Sequence, residues 1–225
     1  MLKTHVLFSG GLDSLAAFCK IRDELVATKQ FDAHNPINLH FIFYGQDTTE
    51  LLYAARLAEY FGTYLRVHYA IDELRNNAAA AMKFRTPTSG VEAFIIPDRN
   101  RLMLETLIAH GACDPEHGND IIFGFGAHDQ ADFPDCREDM FAAWEEEFDS
   151  YNIRIQAPVI GMTKKDILAY LKYEVNVPTA LAWTCYCPET LPSGLKIACC
   201  KCPACQVRLD AEAELAQEGG KRNGN

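Results

Sequence analysis

The chain lacks the features that would point to a membrane or to a nucleic acid. No apolar run approaches the roughly 20 residues of a membrane span. The first glycine turn follows an apolar stretch of only three residues, Val6–Phe8, which is too short for a secretory signal. Basic residues are outnumbered, with 21 Lys and Arg against 31 Asp and Glu and a net charge of −10. Broad nucleic-acid binding requires a basic surface, so we expect a cytoplasmic protein that binds neither membrane nor nucleic acid.

Internal repeats are also lacking, and the composition is that of an ordinary globular protein. Of the 225 residues, 48% are hydrophobic and 23% are charged. This length and hydrophobic fraction predict one domain with a substantial core and at most a small appendage. We predict an α/β domain over residues 1–180. Residues 181–225, which hold six of the nine cysteines, are predicted to add a metal-binding loop and a C-terminal helix to the same compact unit.

Apolar periodicity predicts strands that alternate with helices. Such alternation is typical of a doubly wound parallel sheet, which is the α/β fold class we predict, with ligands bound at the carboxyl ends of the strands. The predicted strands are Thr4–Phe8, Ile37–Tyr44, Thr63–Tyr69, Asp120–Phe125 and Ile153–Ala157. The predicted helices are Leu15–Ala27, Thr48–Phe61, Arg99–Gly111, Cys136–Ser150, a segment from Thr163 to about Val175, and Pro203–Gln217. The remaining segments are a mobile active-site loop over Asn76–Gly90, a cysteine-rich loop over Ala182–Cys205 and a polar tail over Glu218–Asn225.

The first predicted strand runs into two adjacent glycines and then into a helix. Glycines let an oxyanion approach the backbone closely, and the free N–H groups of a helix N-terminus favour negative charge. The turn therefore predicts a phosphate site, although an ordinary glycine turn makes the same backbone demands. Its spacing is not that of the Walker P-loop. The predicted phosphate-binding residues are Phe8, Ser9, Gly10, Gly11, Leu12, Asp13, Ser14 and Leu15.

Six of the nine cysteines fall between residues 185 and 205. Disulfides are rare in the cytosol, so this local excess indicates metal binding. The predicted ligands are Cys185, Cys199, Cys202 and Cys205, because four soft thiolates favour a closed, structural Zn²⁺ site. An iron–sulfur cluster and free buried thiols are the alternatives. The neighbouring Cys187 and Cys200 are spare, and either could replace an assigned ligand.

Several short segments, spread over nearly the whole chain, carry a family resemblance. They are Ser9–Ser14, Tyr44-Gly45-Gln46 followed by Glu50-Leu51, Pro97-Asp98-Arg99-Asn100, Phe133–Arg137, Thr163-Lys164, Thr184-Cys185-Tyr186 and Cys199–Cys205. The first resembles the pyrophosphate loop of ATP-pyrophosphatases. Together the segments resemble the 7-cyano-7-deazaguanine synthase family, queuosine-pathway enzymes that make a nitrile from a carboxylic acid.

The chain departs from the family pattern at three places. Asp47-Thr48-Thr49 stands where the family has Arg-His, in a segment one residue shorter. Cys200 replaces a glycine between zinc ligands, and the loop from Cys185 to Cys199 is longer than usual. Either Asp129 or Asp132 could match the family's acidic residue in the loop after the fourth strand.

The resemblance implies an ATP-dependent synthase that adenylates 7-carboxy-7-deazaguanine, takes up ammonia to form the amide, and adenylates again to leave the nitrile. It implies ATP, Mg²⁺ and Zn²⁺ as cofactors, a sheet of the ATP-pyrophosphatase type, and a homodimer. The implied catalytic residues, which hold pyrophosphate or orient Mg²⁺, are Ser9, Asp13, Ser14 and Lys164. The implied substrate-binding residues are Gln46, Arg99, Asn100, Asp129, Asp135 and Arg137.

These residue types suit the substrate. A carboxylate can accept hydrogen bonds from the ring N–H and the exocyclic amine of a deazaguanine; Asp135 is the first candidate for this role and Asp129 the second. Arg99 or Arg137 can pair with the substrate carboxylate or with phosphates through the planar fork of the guanidinium. Three other readings stay open. A related ligase would couple the same acid to another amine, such as a protein terminus, in a phage-defence context. The chain could also be an RNA-modifying ATP-pyrophosphatase or a non-catalytic zinc scaffold.

Overall fold

A parallel five-stranded sheet forms the centre of the computed structural model, which describes residues 2–30 and 36–222, with side chains as far as residue 218. Its strands are β1 (Lys3–Leu7), β2 (Ile37–Phe43), β3 (Leu65–Tyr69), β4 (Asn119–Ile122) and β5 (Ile153–Gln156). The helices are α1 (Leu12–Ala27), α2 (Thr48–Tyr60), α3 (Asp72–Met82), α4 (Arg99–Ala109), α5 (Ala127–Asp132), α6 (Asp139–Glu147), α7 (Lys164–Ala169) and α8 (Pro203–Arg222).

The strand order is β3-β2-β1-β4-β5, and all neighbouring pairs are parallel. After β1, the chain therefore adds β2 and β3 on one side of β1. It then crosses back and adds β4 and β5 on the other side. The connections after β1 and β4 diverge at this reversal, which is where open parallel sheets bind ligands. The predicted α/β fold class with a doubly wound sheet is confirmed.

Alternate residues of the inner strands belong to two separate cores. Val6 and Phe41 pack into a cluster with α1, α2 and α7, whereas their neighbours Leu7 and Ile42 pack into a cluster with α3, α4 and α6. Successive side chains of a strand point to opposite faces, so the sheet is covered by helices on both sides. This accounts for the nearly continuous apolar runs of the inner strands.

Two predicted segments are wrong in part. The mobile loop predicted over Asn76–Gly90 begins later, because α3 extends to Met82. Alanine is the strongest helix former, and the alanine run of α3 keeps Ala78 buried beside Leu74. The helix predicted over Cys136–Ser150 is only α6, because Cys136 ends a separate 3₁₀ turn and the backbone is extended at the next residue.

The boundaries elsewhere also differ from the pattern in the sequence. α1 begins at Leu12 rather than Leu15, and the short α5 was not predicted. The cysteine-rich loop contains a small hairpin of β6 (Glu189–Thr190) and β7 (Lys196–Ile197). α8 continues to residue 222, through most of the segment predicted as a polar tail. Within the described part of the chain, no helix is both long and apolar enough to cross a membrane.

Candidate active site and metal centre

The loop between β1 and α1 is enclosed by backbone on two sides. Gly10 has φ +78°, and a Cβ there would lie 2.6 Å from the Ala54 nitrogen of α2. On the other side, a Cβ on Gly124, just after β4, would lie 2.4 Å from the Ser14 nitrogen. Only glycine fits either position without moving its neighbour, so the loop lies directly between α2 and the segment that follows β4.

Hydroxyl groups and free amides converge inside this loop. The Ser9 and Ser14 hydroxyls are 3.1 Å apart, and Ser9 Oγ accepts a hydrogen bond from the Gly11 amide at 3.3 Å. Ser14 Oγ donates to the Gly11 carbonyl at 3.1 Å. The first turn of α1 adds backbone N–H groups that have no partner within the helix. These donors and the positive end of α1 make an anion site of the kind that holds phosphate.

Lys164 joins the loop from the far end of the sequence. Its ammonium group pairs with the Asp13 carboxylate and is 10% exposed. Burial works to lower the pKa of Lys164, but the Asp13 and Asp129 charges outweigh it and the pKa is raised. Burial raises the pKa of Asp129 to about 6, and the nearby Asp13 charge adds to this. The site therefore holds one firmly charged cation between two carboxyl groups.

A cavity of about 200 Å³ opens from the loop toward α2 and α4. Its lining includes the loop between β1 and α1, the Asp13 and Asp129 carboxyls, and charged groups on α2 and on the connection that follows α3. Aromatic rings form much of the remaining wall. The lining aromatic residues are Tyr44, Phe94, Phe123, Phe125, Trp183 and Tyr186. The lining charged residues are Asp13, Asp47, Glu50, Arg85, Arg99 and Asp129.

Arg99 is the cation of this cavity with free hydrogen-bonding capacity. Its guanidinium lies 5.6 Å from the centre of the Phe133 ring, and among the described residues no partner accepts a hydrogen bond from its buried Nε. Burial opposes its charge, but the neighbouring Tyr44, Cys136 and Asp135 raise its pKa further above the usual range. A buried donor without a partner is costly, so this geometry suits an anionic ligand in the cavity.

Four buried cysteines form a candidate metal centre next to the cavity. The Sγ atoms of Cys185, Cys199, Cys202 and Cys205 all lie within 4.8 Å of one another. The Cys199 amide donates to Cys185 Sγ at 3.3 Å, and the Cys202 amide donates to Cys199 Sγ at 3.3 Å. Amide donors stabilise thiolates, and a closed set of four thiolates fits tetrahedral Zn²⁺ with bonds of about 2.3 Å. The four predicted ligands are thus the ones the fold brings together, whereas Cys200 is exposed.

Comparison with known proteins decides the family. A family model described as "Queuosine biosynthesis protein QueC" matches residues 3–216. The chain belongs to the QueC family. Similar proteins named 7-cyano-7-deazaguanine synthase come from Syntrophotalea carbinolica, at 30% identity over 94% of this chain and 92% of that protein, and from Cupriavidus taiwanensis, at 30% over 90% and 89%. A third, from Picrophilus torridus, is 26% identical over 93% of this chain and 86% of its own length. The predicted family is confirmed, and the chain is an enzyme of the QueC family.

The predicted substrate residues of this QueC-family chain take different positions around the cavity. Arg99, Asn100 and Asp129 line it together with Gln46. The Gln46 side chain is already engaged, because it accepts from the Tyr44 amide at 2.8 Å and donates to the Ile42 carbonyl at 2.9 Å. It thereby closes the turn that follows β2.

Asp135 and Arg137 lie behind or outside the cavity wall. Asp135 Oδ2 accepts from Asn100 Nδ2 at 2.8 Å and from the Asn100 amide at 3.2 Å, so its carboxylate caps the start of α4. Arg137 is exposed, and its Nε donates to the Gln130 carbonyl at 3.4 Å. Direct substrate contacts by these two residues stay predictions. The carboxyls that line the cavity are those of Asp13, Asp47, Glu50 and Asp129.

Sequence reasoning assigned no role to three residues that line the cavity, namely Glu50, Arg85 and Tyr186. Arg85 donates to the Ala93 and Phe94 carbonyls at 3.0 and 3.3 Å, and in this way anchors the segment before α4. Tyr186 directly follows Cys185 of the candidate metal centre, a position that could have signalled its proximity to the cavity. No local pattern marks Arg85, because it reaches the cavity only through tertiary packing.

Proposed function

We propose that this protein is an ATP-dependent synthase that converts 7-carboxy-7-deazaguanine, ammonia and ATP to 7-cyano-7-deazaguanine, AMP and pyrophosphate. The names of its relatives support the product. One structural observation carries the chemistry: Arg99, whose buried Nε has no partner among the described residues, lines the same cavity as the loop between β1 and α1. An acid held at Arg99 and a nucleotide held at the loop would share one space, as adenylation requires.

The chemistry begins with an unreactive group. A carboxylate resists attack by amines until one of its oxygens becomes a leaving group, and attack on the α-phosphate of ATP supplies that leaving group as AMP. In this scheme the loop amides, Ser9 and Ser14 bind the departing pyrophosphate. Asp13 would hold Mg²⁺, which neutralises phosphate charge, and Lys164 would balance the carboxylates beside it.

The walls of the cavity suit a planar, polar heterocycle. Tyr44, Phe94 and Tyr186 offer ring faces or edges for stacking, and Asp129 offers a carboxyl oxygen to ring N–H donors. Burial and the nearby Asp13 raise the pKa of Asp129 to about 6, so this carboxyl is ionised at neutral pH and can accept hydrogen bonds. An acid bound with its carboxylate at Arg99 would then be oriented toward a nucleotide held at the loop between β1 and α1.

Mass spectrometry of the product tests the proposal directly. Purified protein incubated with the acid, ATP and ammonium should yield the nitrile by way of the amide, with AMP and pyrophosphate as the nucleotide products. ADP and phosphate as the only nucleotide products would contradict the assignment of the loop. A stable amide on a partner protein or another amine, with no nitrile at any ammonium concentration, would support the related ligase instead.

The remaining expectations concern partners. The proposal needs small-molecule substrates and neither a nucleic acid nor a membrane, and we expect a cytoplasmic homodimer. Light scattering of the purified protein reports its mass in solution and tests the dimer. Filter binding with transfer RNA at physiological salt tests the expected lack of RNA affinity.

A further inference from the structure

Glu50 has no role in the adenylation proposed above, yet it occupies the same cavity. It lies in the first turn of α2 and lines the cavity. Among the residues that the structure describes, no donor is within hydrogen-bonding distance of its carboxylate, and no cation forms an ion pair with it. A half-buried carboxyl without a partner is costly, which makes Glu50 a candidate for contact with a cationic or donor ligand.

The packing of α2 places Glu50 beside the phosphate loop. Ala54, four residues further along α2, touches Gly10 through its backbone. Residues four apart lie on one face of a helix, and helical side chains lean toward the N-terminus. The Glu50 carboxyl therefore lies about one helical turn from the loop that would hold the nucleotide, and Arg99 is close enough for its charge to act on this carboxyl.

We propose that Glu50 binds the incoming ammonium ion and takes from it the proton that converts it to nucleophilic ammonia. This proposal rests on the proposed function and names the amine subsite of the same reaction. Arg99 serves the carboxyl of the acid in that function, and Arg85 is bound to backbone carbonyls, so both cations act on Glu50 only through their charge and neither forms an ion pair with it. Asp47, the nearest other carboxyl on this side, is already paired with Lys196.

The step balances without any further reactant. One N–H proton passes from ammonium to a Glu50 carboxylate oxygen, and the freed lone pair forms the C–N bond to the acyl carbon of the adenylate. The bond from that carbon to the phosphate oxygen breaks, and AMP leaves with the electron pair. A second nitrogen proton passes to the departing phosphate or to water, and Glu50 returns its own proton to solvent through the open cavity.

The electrostatic environment of Glu50 is consistent with this role. Burial raises its pKa to about 7, and the nearby Asp47 charge adds to the rise while Arg99 and Arg85 oppose it. A general base works best when its pKa lies near the operating pH, because it is then ionised and still able to hold a proton. Glu50 should accept a proton from ammonium only above about pH 7, where its own carboxyl is ionised.

The test separates activation of the acid from its reaction with the amine. Acid-dependent exchange of pyrophosphate into ATP measures adenylation, and amide formation measures aminolysis, with ammonium chloride or hydroxylamine as the amine. Hydroxylamine is largely unprotonated at neutral pH and needs no base. For Glu50→Gln we expect exchange within about threefold of wild type and amide formation from ammonium reduced by about 10²-fold or more, with hydroxylamine restoring the rate.

The matched control is Glu59→Gln, an exposed carboxyl on the same helix, which should leave both rates unchanged. Unchanged amide formation from ammonium in Glu50→Gln would overturn the proposal, and so would an equal loss of exchange and aminolysis. If that variant does not fold, the ratio of hydroxylamine to ammonium rates in Glu50→Asp decides, and a wild-type ratio overturns the proposal. Lack of acid-dependent exchange in the wild-type protein would instead refute the proposed function itself.

Discussion

Asp47 and Lys196, 149 residues apart, form an ion pair that ties the hairpin of the cysteine-rich loop to the start of α2. Asp47 also caps α2, because its Oδ1 accepts from the Thr49 amide at 2.9 Å. Two features of the sequence that depart from the family pattern therefore meet here: the Asp47-Thr48-Thr49 segment and the lengthened loop. The pair lies at the cavity, whose wall includes Asp47.

Removal of this ion pair should loosen the hairpin. In Lys196→Ala, Asp47 still caps α2, but the β6–β7 hairpin loses its attachment to the cavity wall. We expect faster hydrogen exchange at the Leu191 amide, which donates to the Leu195 carbonyl at 2.8 Å. The matched control is Lys201→Ala, which breaks only an exposed pair with Glu189. Equal exchange in the two variants would show that the pair does not anchor the hairpin.

Zinc content should depend on Cys202 and not on Cys200. We expect one zinc ion per chain, because the four buried thiols form a single cluster. Zinc binding in small structural sites is worth roughly 10–16 kcal/mol, so Cys202→Ser should lose the metal and unfold the C-terminal loop. Cys200→Ser should retain it, because Cys200 is exposed and lies outside the cluster. Elemental analysis and near-ultraviolet circular dichroism measure both effects, and iron in the purified protein would contradict the zinc assignment.

Loss of the Ser9 hydroxyl should slow the cleavage of ATP without unfolding the chain. Ser9 is exposed in its loop, and its Oγ accepts from the Gly11 amide. One lost donor at a site of developing charge typically costs on the order of 10²–10³ in rate. We therefore expect Ser9→Ala to lower acid-dependent AMP formation by that factor, measured by anion-exchange chromatography. Ser150→Ala, in an exposed turn, is the control, and equal rates in the two variants would refute a role for the loop in phosphate binding.

Two buried histidines, His5 and His40, should make the protein less stable in mild acid. His5 Nδ1 lies 3.0 Å from His40 Nε2, and His40 Nδ1 lies 2.9 Å from His68 Nε2. Burial lowers the pKa of His5 to about 4 and that of His40 to about 2. The unfolded chain binds protons at about pH 6.5, so it holds more protons than the folded chain below that pH.

The free energy of unfolding should therefore fall as the pH drops from about 6.5 toward 4, by up to about 1.4 kcal/mol per pH unit for each such histidine. Urea titrations across this range measure the slope. His40→Gln should flatten it, whereas His128→Gln, at an exposed position, should not. Parallel slopes for the wild-type protein and His40→Gln would exclude the buried histidines as the cause.

Local chemistry made much of the site predictable. The phosphate loop, the four cysteines and the cap of α7 each lie in a short stretch, so spacing alone brings their groups together. Thr163 and Asp166 form a capping box, in which Asp166 Oδ2 accepts from the Thr163 amide at 3.0 Å and Thr163 Oγ1 accepts from the Asp166 amide at 3.2 Å. Short-range geometry of this kind depends little on the rest of the fold.

Side-chain direction was not predictable in the same way. Gln46 and Asp135 lie in segments that match the family, but their side chains bind the protein's own backbone and Asn100. His5, His40 and His68 form one hydrogen-bonded row across β1, β2 and β3. The hydrogen-bond partner of each of these side chains depends on how the fold packs. For Asp135 and the three histidines, that partner is distant in the chain.

The sequence by itself determined the alternation of strands and helices, the glycine turn after β1 and the thiol cluster, because periodicity and short spacing are properties of contiguous residues. Only the tertiary structure decided that Lys164 pairs with Asp13 across 151 positions, and that Glu50 shares a cavity with Arg99. Parallel strands bring the ends of separate βα units to one edge of the sheet. The charges that meet there are set by packing between helices rather than by any local pattern.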